Sequence, residues 1–390
     1  MKAFTGQAQL HIDEHTAHVS ISLNPQAGEF EAEMLSSALP EELFSMHSGS
    51  ARVVRLTDIA IPLPTGTLEC AELADVYLGG SGGVTSSIDE TPISRALNLA
   101  GDRSGIRRIT LSPRAAVIHF VHTPLLEELS ELYFLNNFTR GIPGSVVIDT
   151  VEIGFHPRNS SLSITASDDL RPWLAPIRAA WSVFQGAHLT HVASYNQDGS
   201  IDLVVQQPRA YNKGSSLFRG WQNQQPMLQA LVNFFVQLGE DEFKGWEKAI
   251  TFYLEGRNSE LDYDVRIIGL MIFIEMFDGS RTMSRQPIAT EFECSLELAD
   301  FLVRMRNKLI HNRMTLWNAV PLVHTEILQH QSEWVCPEIA FSSQNYEMNS
   351  ILFFLQLEKM VNSYIVRQAN YSGEFDDNSD LIVDIESRMV

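Results

Sequence analysis

No run of eighteen uncharged apolar residues occurs in this 390-residue sequence, so nothing in it reads as a membrane-spanning helix. Cysteine is almost absent. Cys70, Cys294 and Cys336 are too few and too far apart for a disulfide framework or, by themselves, a zinc knuckle. Basic residues are scarce too. Lys and Arg number 28 against 48 Asp and Glu, a net charge of −20, which argues against coating nucleic acid or an anionic membrane with the whole surface but leaves room for one local basic site. The N-terminus, MKAFTGQAQLHIDEH, shows no charged-then-apolar leader, so a cytoplasmic location is expected and the sequons Asn137-Phe-Thr139 and Asn159-Ser-Ser161 read as accidents. Apolar side chains make up 44% and charged ones 19% of residues, the composition of a globular chain. At roughly 150 residues per domain, the length suggests two or three folding units.

The first half alternates. Leu10-His-Ile12, Val19-Ser-Ile21-Ser-Leu23, Val53-Val54-Arg-Leu56, Ile109-Thr-Leu111 and Val147-Ile-Asp-Thr-Val151-Glu-Ile153 are period-two runs between Gly, Pro, Asn and Asp clusters, hence antiparallel strands of a sandwich or barrel. Residues 171–186 suit a helix opening at Pro172, with Pro176 limiting its regularity, and Asn196-Gln-Asp-Gly199 between Leu189–Tyr195 and Ile201–Gln207 predicts a hairpin.

From about Gln224 the period changes. Residues 225–238, 242–254, 261–277, 296–311 and 347–367 predict helices, with Val265–Phe277 apolar nearly all round and so the buried centre of a bundle. The expected organisation is α+β: a β-rich sandwich- or barrel-like region over 1–210, an all-α bundle over 221–371, and a mobile acidic tail over 372–390. A basic connector, Pro208–Gly220 with Arg209, Lys213 and Arg219, separates the halves, and no internal repeat is evident.

The strongest local anomaly is 301–320, FLVRMRNKLIHNRMTLWNAV, with Arg304, Arg306, Lys308, His311 and Arg313 and not one acid. Leu298, Leu302, Met305 and Leu309 form an inward stripe and Arg304, Asn307 and His311 a second one. On an ideal α-helix Arg306 lies about 140° from His311 and about 7.5 Å below it. A long guanidinium arm, or a second copy of the helix across a two-fold axis, would be needed to close that gap. Glu275, inside the apolar Ile267–Phe277, would be costly if buried alone, so it either pairs with Arg304 or Arg306 or faces solvent or a partner.

Arg306-Asn307-Lys-Leu-Ile-His311 resembles the R-x4-6-H signature of HEPN ribonucleases, in which a polar residue, often Asn, follows the Arg. The preceding LDYDVRIIGLMIFIEMF is similar to the long buried helix before that signature, and a β-rich region ahead of such a bundle resembles the ApeA-type abortive-infection (anti-phage) proteins. The resemblance covers about 225–370 and, through architecture, the region before it. It implies a HEPN-like bundle carrying a metal-independent endoribonuclease, acting on RNA such as tRNA in abortive infection or as a toxin. It also implies a 2′,3′-cyclic phosphate product, an active site shared across a homodimer, and a phage trigger or antitoxin as control. Arg306, Asn307 and His311 would be catalytic, Arg304, Lys308 and Arg313 would bind substrate, and no cofactor or metal is required.

The residue types suit that chemistry. RNA carries its own nucleophile, the ribose 2′-OH, an imidazole moves protons near neutrality, and a guanidinium presents a fork to phosphate oxygens. The motif alone is weak evidence, since R-x4-H arises by chance about 0.7 times at this composition, and Arg114-Ala-Ala-Val-Ile-His119 is a second copy in a strand-like run. A basic cluster at a helix C-terminus is also favoured by the macrodipole, and His311 would then simply cap carbonyls. Two other functions stay open: a catalytically silent HEPN-like scaffold binding RNA or a partner, and a ligand-binding β-sandwich whose helices only dimerise.

Three further motifs carry less. Gly79-Gly-Ser81-Gly-Gly83 matches G-x-S-x-G but leads into a Thr-, Ser- and Pro-containing loop rather than a helix. His11, His15 and His18 have metal-like spacing, yet alternation puts His11 and His15 on one face and His18 on the other. Gly101-Asp-Arg-Ser-Gly105 lacks the Lys-Ser/Thr ending of a phosphate-binding loop.

Overall fold

The computed structural model describes residues 4–24, 29–35, 38, 40, 52–63, 66–78, 106–113, 117–123, 130–135, 141–158, 161–196, 200–204, 217, 221–277, 283–331, 333–341 and 345–387. The basic connector, apart from Leu217, both glycine motifs and Arg114 lie outside these residues. An antiparallel β region precedes a helical one, as the change of period predicts. The described strands are β1 (Phe4–Ile12), β2 (His15–Asn24), β3 (Glu29–Leu35), β4 (Arg52–Leu63), β5 (Gly66–Leu78), β6 (Ile106–Pro113) and β7 (Val117–Thr123). They continue as β8 (Ser130–Leu135), β9 (Gly144–Ile148), β10 (Val151–Arg158), β11 (Ser161–Ala166), β12 (Thr190–Tyr195) and β13 (Ser200–Val204). The described α-helices are α1 (Leu174–Gln185), α2 (Gln224–Gln237), α3 (Glu240–Gly256), α4 (Tyr263–Phe277), α5 (Arg285–Glu291), α6 (Leu296–Arg306), α7 (Leu316–His330), α8 (Tyr346–Gln368) and α9 (Ser379–Ser387). None is long and apolar enough to cross a membrane.

The chain divides into two compact units with a boundary at Arg209/Ala210, where one is expected, but two segments before it belong to the second unit. Met1–Phe134, Ser163–Arg171 and Thr190–Arg209 form the first, and Leu135–Leu162, Pro172–Leu189 and Ala210–Val390 the second. The reason is packing: α1 and the β9–β10 hairpin have their partners among the helices. The amide of Gln229 on α2 pairs with both the N–H and the C=O of Val147 at 2.8 Å, and Gln224 does the same for Ile142, which occupies polar groups of an exposed strand edge.

In the first unit β4 pairs with β1, β1 with β2, β2 with β3, β3 with β6, β6 with β5, and β5 again with β4, so six antiparallel strands close on themselves. The far end of β5 pairs with β7, and β13 and β12 follow. Alternation fills the interior with Leu10, Ile12, Val19, Ile21, Phe30, Ala32, Ile109 and Leu111. Strand β4 breaks the alternation, because Val54, Leu56, Ile59 and Ile61 are all buried although 56 and 59 differ in parity. Asp58, at φ 52°, sits between them where the register with β1 slips, and this bulge re-phases the strand. His119 belongs to β7, a strand and not a helix. The three N-terminal histidines group differently from the expectation. The β1–β2 turn reverses the count, so His11 and His18 lie outside the barrel wall and His15 has the other parity. Among the described residues no His, Cys, Asp and Glu cluster could hold a metal.

In the second unit the run Val147–Ile153 is two strands rather than one: Asp149, at φ 55°, turns the chain so that Ile148 pairs with Val151. Helix α1 tolerates Pro176 because it falls in the first turn, where its N–H would have no partner anyway, and buries Trp181 completely. Helices α3 and α4 touch closely. A Cβ on Gly269 would lie 2.7 Å from the backbone oxygen of Phe252, and one on Gly256 would lie 2.5 Å from Leu270. Around that contact Trp246, Phe273, Phe277, Phe292 and Tyr364 form one aromatic cluster. The tail departs from its expected mobility. Helix α9 buries Ile382 and Ile385, the Asp376 carbonyl accepts from Asn362 Nδ2 at 3.2 Å, and Asn378 donates to Glu358 at 3.0 Å. Asn362 is itself fully buried and accepts from Tyr253 and Arg257, and burial pushes the Tyr253 phenol up to about 12.

Two outcomes test this packing by urea denaturation. Gly269→Ala should cost about 1–3 kcal/mol through overpacking, whereas Gly245→Ala, where nothing lies within 4 Å, should gain about 0.5–1 kcal/mol. His324 supplies a third. It is buried on α7, stacks on Phe341 at 4.8 Å, and burial holds its pKa below 6.5. The unfolded chain then binds the extra proton first, so stability present above pH 6.5 should be lost as the pH falls below it. His324→Phe should lose less between pH 7 and 5 than wild type does.

Candidate active site

Helix α6 is fixed at its start. The Ser295 hydroxyl accepts from Leu298 N–H at 3.0 Å, and the Glu338 carboxylate takes both Ser295 N–H at 2.6 Å and Ser295 Oγ–H at 2.5 Å. Leu298, Leu302 and Met305 face inward as the spacing predicts, with Phe301 completely buried among Trp334, Phe341 and Phe353. Nearby, burial pushes the thiols of part-buried Cys294 and buried Cys336 up to about 12, which leaves both as unreactive thiols.

The helix does not end as α-helix. Asn307–His311 forms a π turn, with Asn312 N–H bonded to Asn307 C=O, five residues back, at 3.2 Å. A wider turn spends more residues per revolution. It narrows the offset of about 140° in an ideal α-helix and, with the length of the arginine arm, brings Arg306 and His311 into contact: Arg306 Nη1 lies 2.9 Å from His311 Nε2. The expectation that a single helix cannot unite these groups is thus corrected, and no second copy is needed for their contact.

A guanidinium can only donate, so the Arg306 bond requires a lone pair on His311 Nε2. The imidazole in this arrangement is neutral with its proton on Nδ1. The other arm of Arg306, Nη2, pairs with Glu275 of α4, which settles Glu275 as the anchor of Arg306 and not of Arg304. The buried Nε of Arg306 has no hydrogen-bond partner, so the guanidinium is held at its two ends and strained for partners in the middle. His311 and Asn307 are exposed.

The remaining cations fare unequally. Arg304 is tied back to Asp300 at 2.8 Å, and Lys308 to Glu326 at 2.6 Å. Arg313, exposed and at φ 54°, has no ion pair among the described residues. The acid-free stretch is therefore largely neutralised in space by Glu275, Asp300 and Glu326. Of the three expected substrate-binding residues, Arg313 alone offers an uncompensated charge. Sequence reasoning missed the bracing role of Asp264 at the base of the site. Its carboxylate accepts Leu316 N–H at 2.6 Å and so starts α7 just beyond the signature; an acid in the first turn of an apolar helix was the only signal.

Glu275→Ala should destabilise the protein by about 1–3 kcal/mol, the worth of a hydrogen bond to a charged group, and Glu275→Gln by less, as read from urea midpoints. Equal stability of the alanine variant and wild type would show that the pair contributes nothing. No family model, curated protein or solved structure matches this chain, so its function is argued from these residues.

Proposed function

We propose that the chain is a metal-independent endoribonuclease of HEPN type, with Arg306 and His311 as its reacting pair and Asn307 beside them. The observation that supports this reading is the 2.9 Å contact between the Arg306 guanidinium and His311 Nε2 at an exposed helix end. When an RNA phosphate enters, its oxygens take the Arg306 donors and Nε2 is released as a base. Nε2 accepts the 2′-OH proton, the 2′-oxygen bonds to phosphorus, and the P–O5′ bond breaks. A proton returned by the imidazolium or by water completes the 5′-hydroxyl and leaves a 2′,3′-cyclic phosphate. Arg306 stabilises the charge that develops on the phosphoryl oxygens, and Asn307 donates to the phosphate or orients the ring. Glu275 keeps the guanidinium in position.

A second reading has an observation in its favour. Because Arg304, Arg306 and Lys308 are already paired with carboxylates, the site suits a scaffold that holds RNA or a partner without cutting. The anti-phage or toxin role, the homodimer, the trigger or antitoxin and a cytoplasmic location rest on the resemblance alone.

Incubation of the purified protein with total RNA in EDTA, followed by mapping of product ends, tests the proposal. Cleavage leaving 2′,3′-cyclic phosphates is expected, with His311→Ala slowed by about 10²–10⁴-fold and DNA left intact. Equal cleavage by wild type and His311→Ala would overturn it; RNA retained without product would favour the scaffold.

A further inference from the structure

Immediately past His311 the chain crosses four residues, Asn312–Thr315, and enters α7. The crossing is fastened at both ends, by Met314 N–H to Lys308 C=O at 3.1 Å and by Leu316 N–H to the Asp264 carboxylate at 2.6 Å. The next residue, Trp317, is 40% exposed, a large apolar ring left in water. Its neighbour Tyr263, 38% exposed, meets it edge to face with centroids 5.9 Å apart. The Arg266 guanidinium lies 5.3 Å from the Tyr263 ring and bonds Glu358 at 3.0 Å, so the tyrosine is backed from the protein side. Two rings are thus held against each other and offered to solvent, and Trp317 follows His311 by six residues, about 20 Å of chain at most.

The charge around them has one sign on the α7 side. From Phe301 to Thr325 there is no acid, and the exposed side chains beside Trp317 are Asn312, Arg313, Thr315 and Asn318. On the α4 side Glu260 and Asp262 are exposed, while Asp264 is consumed by Leu316. An exposed indole that follows, four residues on, an arginine with no ion pair among the described residues suits an unpaired nucleobase with its phosphate: the ring stacks on the base, and Arg313 is available to the backbone.

We propose that Trp317, braced by Tyr263, is a stacking platform for an unpaired nucleotide flanking the linkage held by Arg306 and His311, so that the ligand class is single-stranded RNA, including loops, rather than duplex. The function of the platform rests on the ribonuclease reading; its binding does not. A second copy of the chain is the competing occupant, since Leu328, 37% exposed, lies three turns along α7 on the same side as Trp317. The nucleic-acid occupant is preferred because Arg313 and the acid-free run Phe301–Thr325 that carries Trp317 complement a phosphate and do nothing for an apolar interface.

The test is fluorescence anisotropy with a labelled single-stranded 2′-O-methyl RNA, which binds but has no free 2′-OH to react, alongside the same sequence as a duplex. Wild type should prefer the single strand. Trp317→Ala should lose about 5- to 100-fold in affinity, with Trp317→Phe restoring most of it and Leu328→Ala changing nothing. Unchanged affinity in Trp317→Ala, or no binding by wild type, overturns the platform, as does a dimer-to-monomer shift in sedimentation with affinity intact. On cleavable RNA the two readings separate. A raised KM in Trp317→Ala with kcat retained supports the platform, whereas cleavage with unaltered KM removes it and leaves the nuclease standing. Oligonucleotide binding that is lost in Trp317→Ala, with no cleavage by wild type, removes the nuclease and leaves the platform.

Discussion

A single wide turn of helix governs the chemistry available to this protein. Were residues 307–311 regular α-helix, Arg306 and His311 would stand about 140° apart, a gap that the arginine's arm alone would have to span. The π turn costs the helix its regular hydrogen bonding, and such turns persist where their surroundings hold them. Here the holding is visible on every side. Ser295 and Glu338 fix the start of α6, buried Met305 and Leu309 pin its inner stripe, and Asp264 fixes the first residue beyond the loop. Glu275 then fixes the guanidinium itself. Local strain at the helix end is thus balanced by contacts from α4, from the segment before α8 and from α7.

Charge in this chain is managed by pairing in space rather than by spacing along the sequence. The five basic side chains of 301–320 look like an open polyanion site when read in line. Folded, Arg304 meets Asp300, Arg306 meets Glu275 and Lys308 meets Glu326, which leaves Arg313 as the cation available to solvent. The Arg304–Asp300 pair, the most exposed of the three, is individually weak, and a phosphate offering several strong acceptor oxygens can compete for the donors of all three. In the proposed reaction, substrate entry is then an exchange of partners, in which the phosphate displaces imidazole and carboxylate contacts that keep the guanidinium in place until it arrives.

Much of the fold was legible because amphipathic period reports burial directly. Helices α2, α3, α4, α6 and α8 fall within a few residues of their apolar patterns, and the β1–β2 and β12–β13 strands follow from alternation. What the pattern concealed has identifiable causes. Helix α7 escaped because Pro321 reads as a breaker; the carbonyl it deprives belongs to Trp317, on an exposed surface where water can serve it. The tail escaped because its acids suggest solvation, whereas Asp376 and Asp377 bond backbone and Ser379 groups at the entry to α9 and Ile382 and Ile385 supply a buried face. The membership of α1 and β9–β10 escaped because they are local in sequence to the barrel but pack with the helices. Within the site, the residues were legible by type, and their contact was not: no side-chain pattern announces a change from i+4 to i+5 bonding.

The hydrogen bond between Arg306 and His311 also constrains what kind of proton transfer the site can perform. An arginine that donates to Nε2 selects the tautomer with hydrogen on Nδ1, and so leaves the basic lone pair on the nitrogen that faces the guanidinium. Any group bound by Arg306 is thereby presented to the basic nitrogen and not to the protonated one. A phosphodiester gripped there would set its adjacent 2′-OH beside a proton acceptor before any rearrangement of the ring. Tautomer selection and phosphate grip are therefore one interaction, and a lysine in place of Arg306, with its single compact ammonium and no fork, would supply the charge without holding both geometries together.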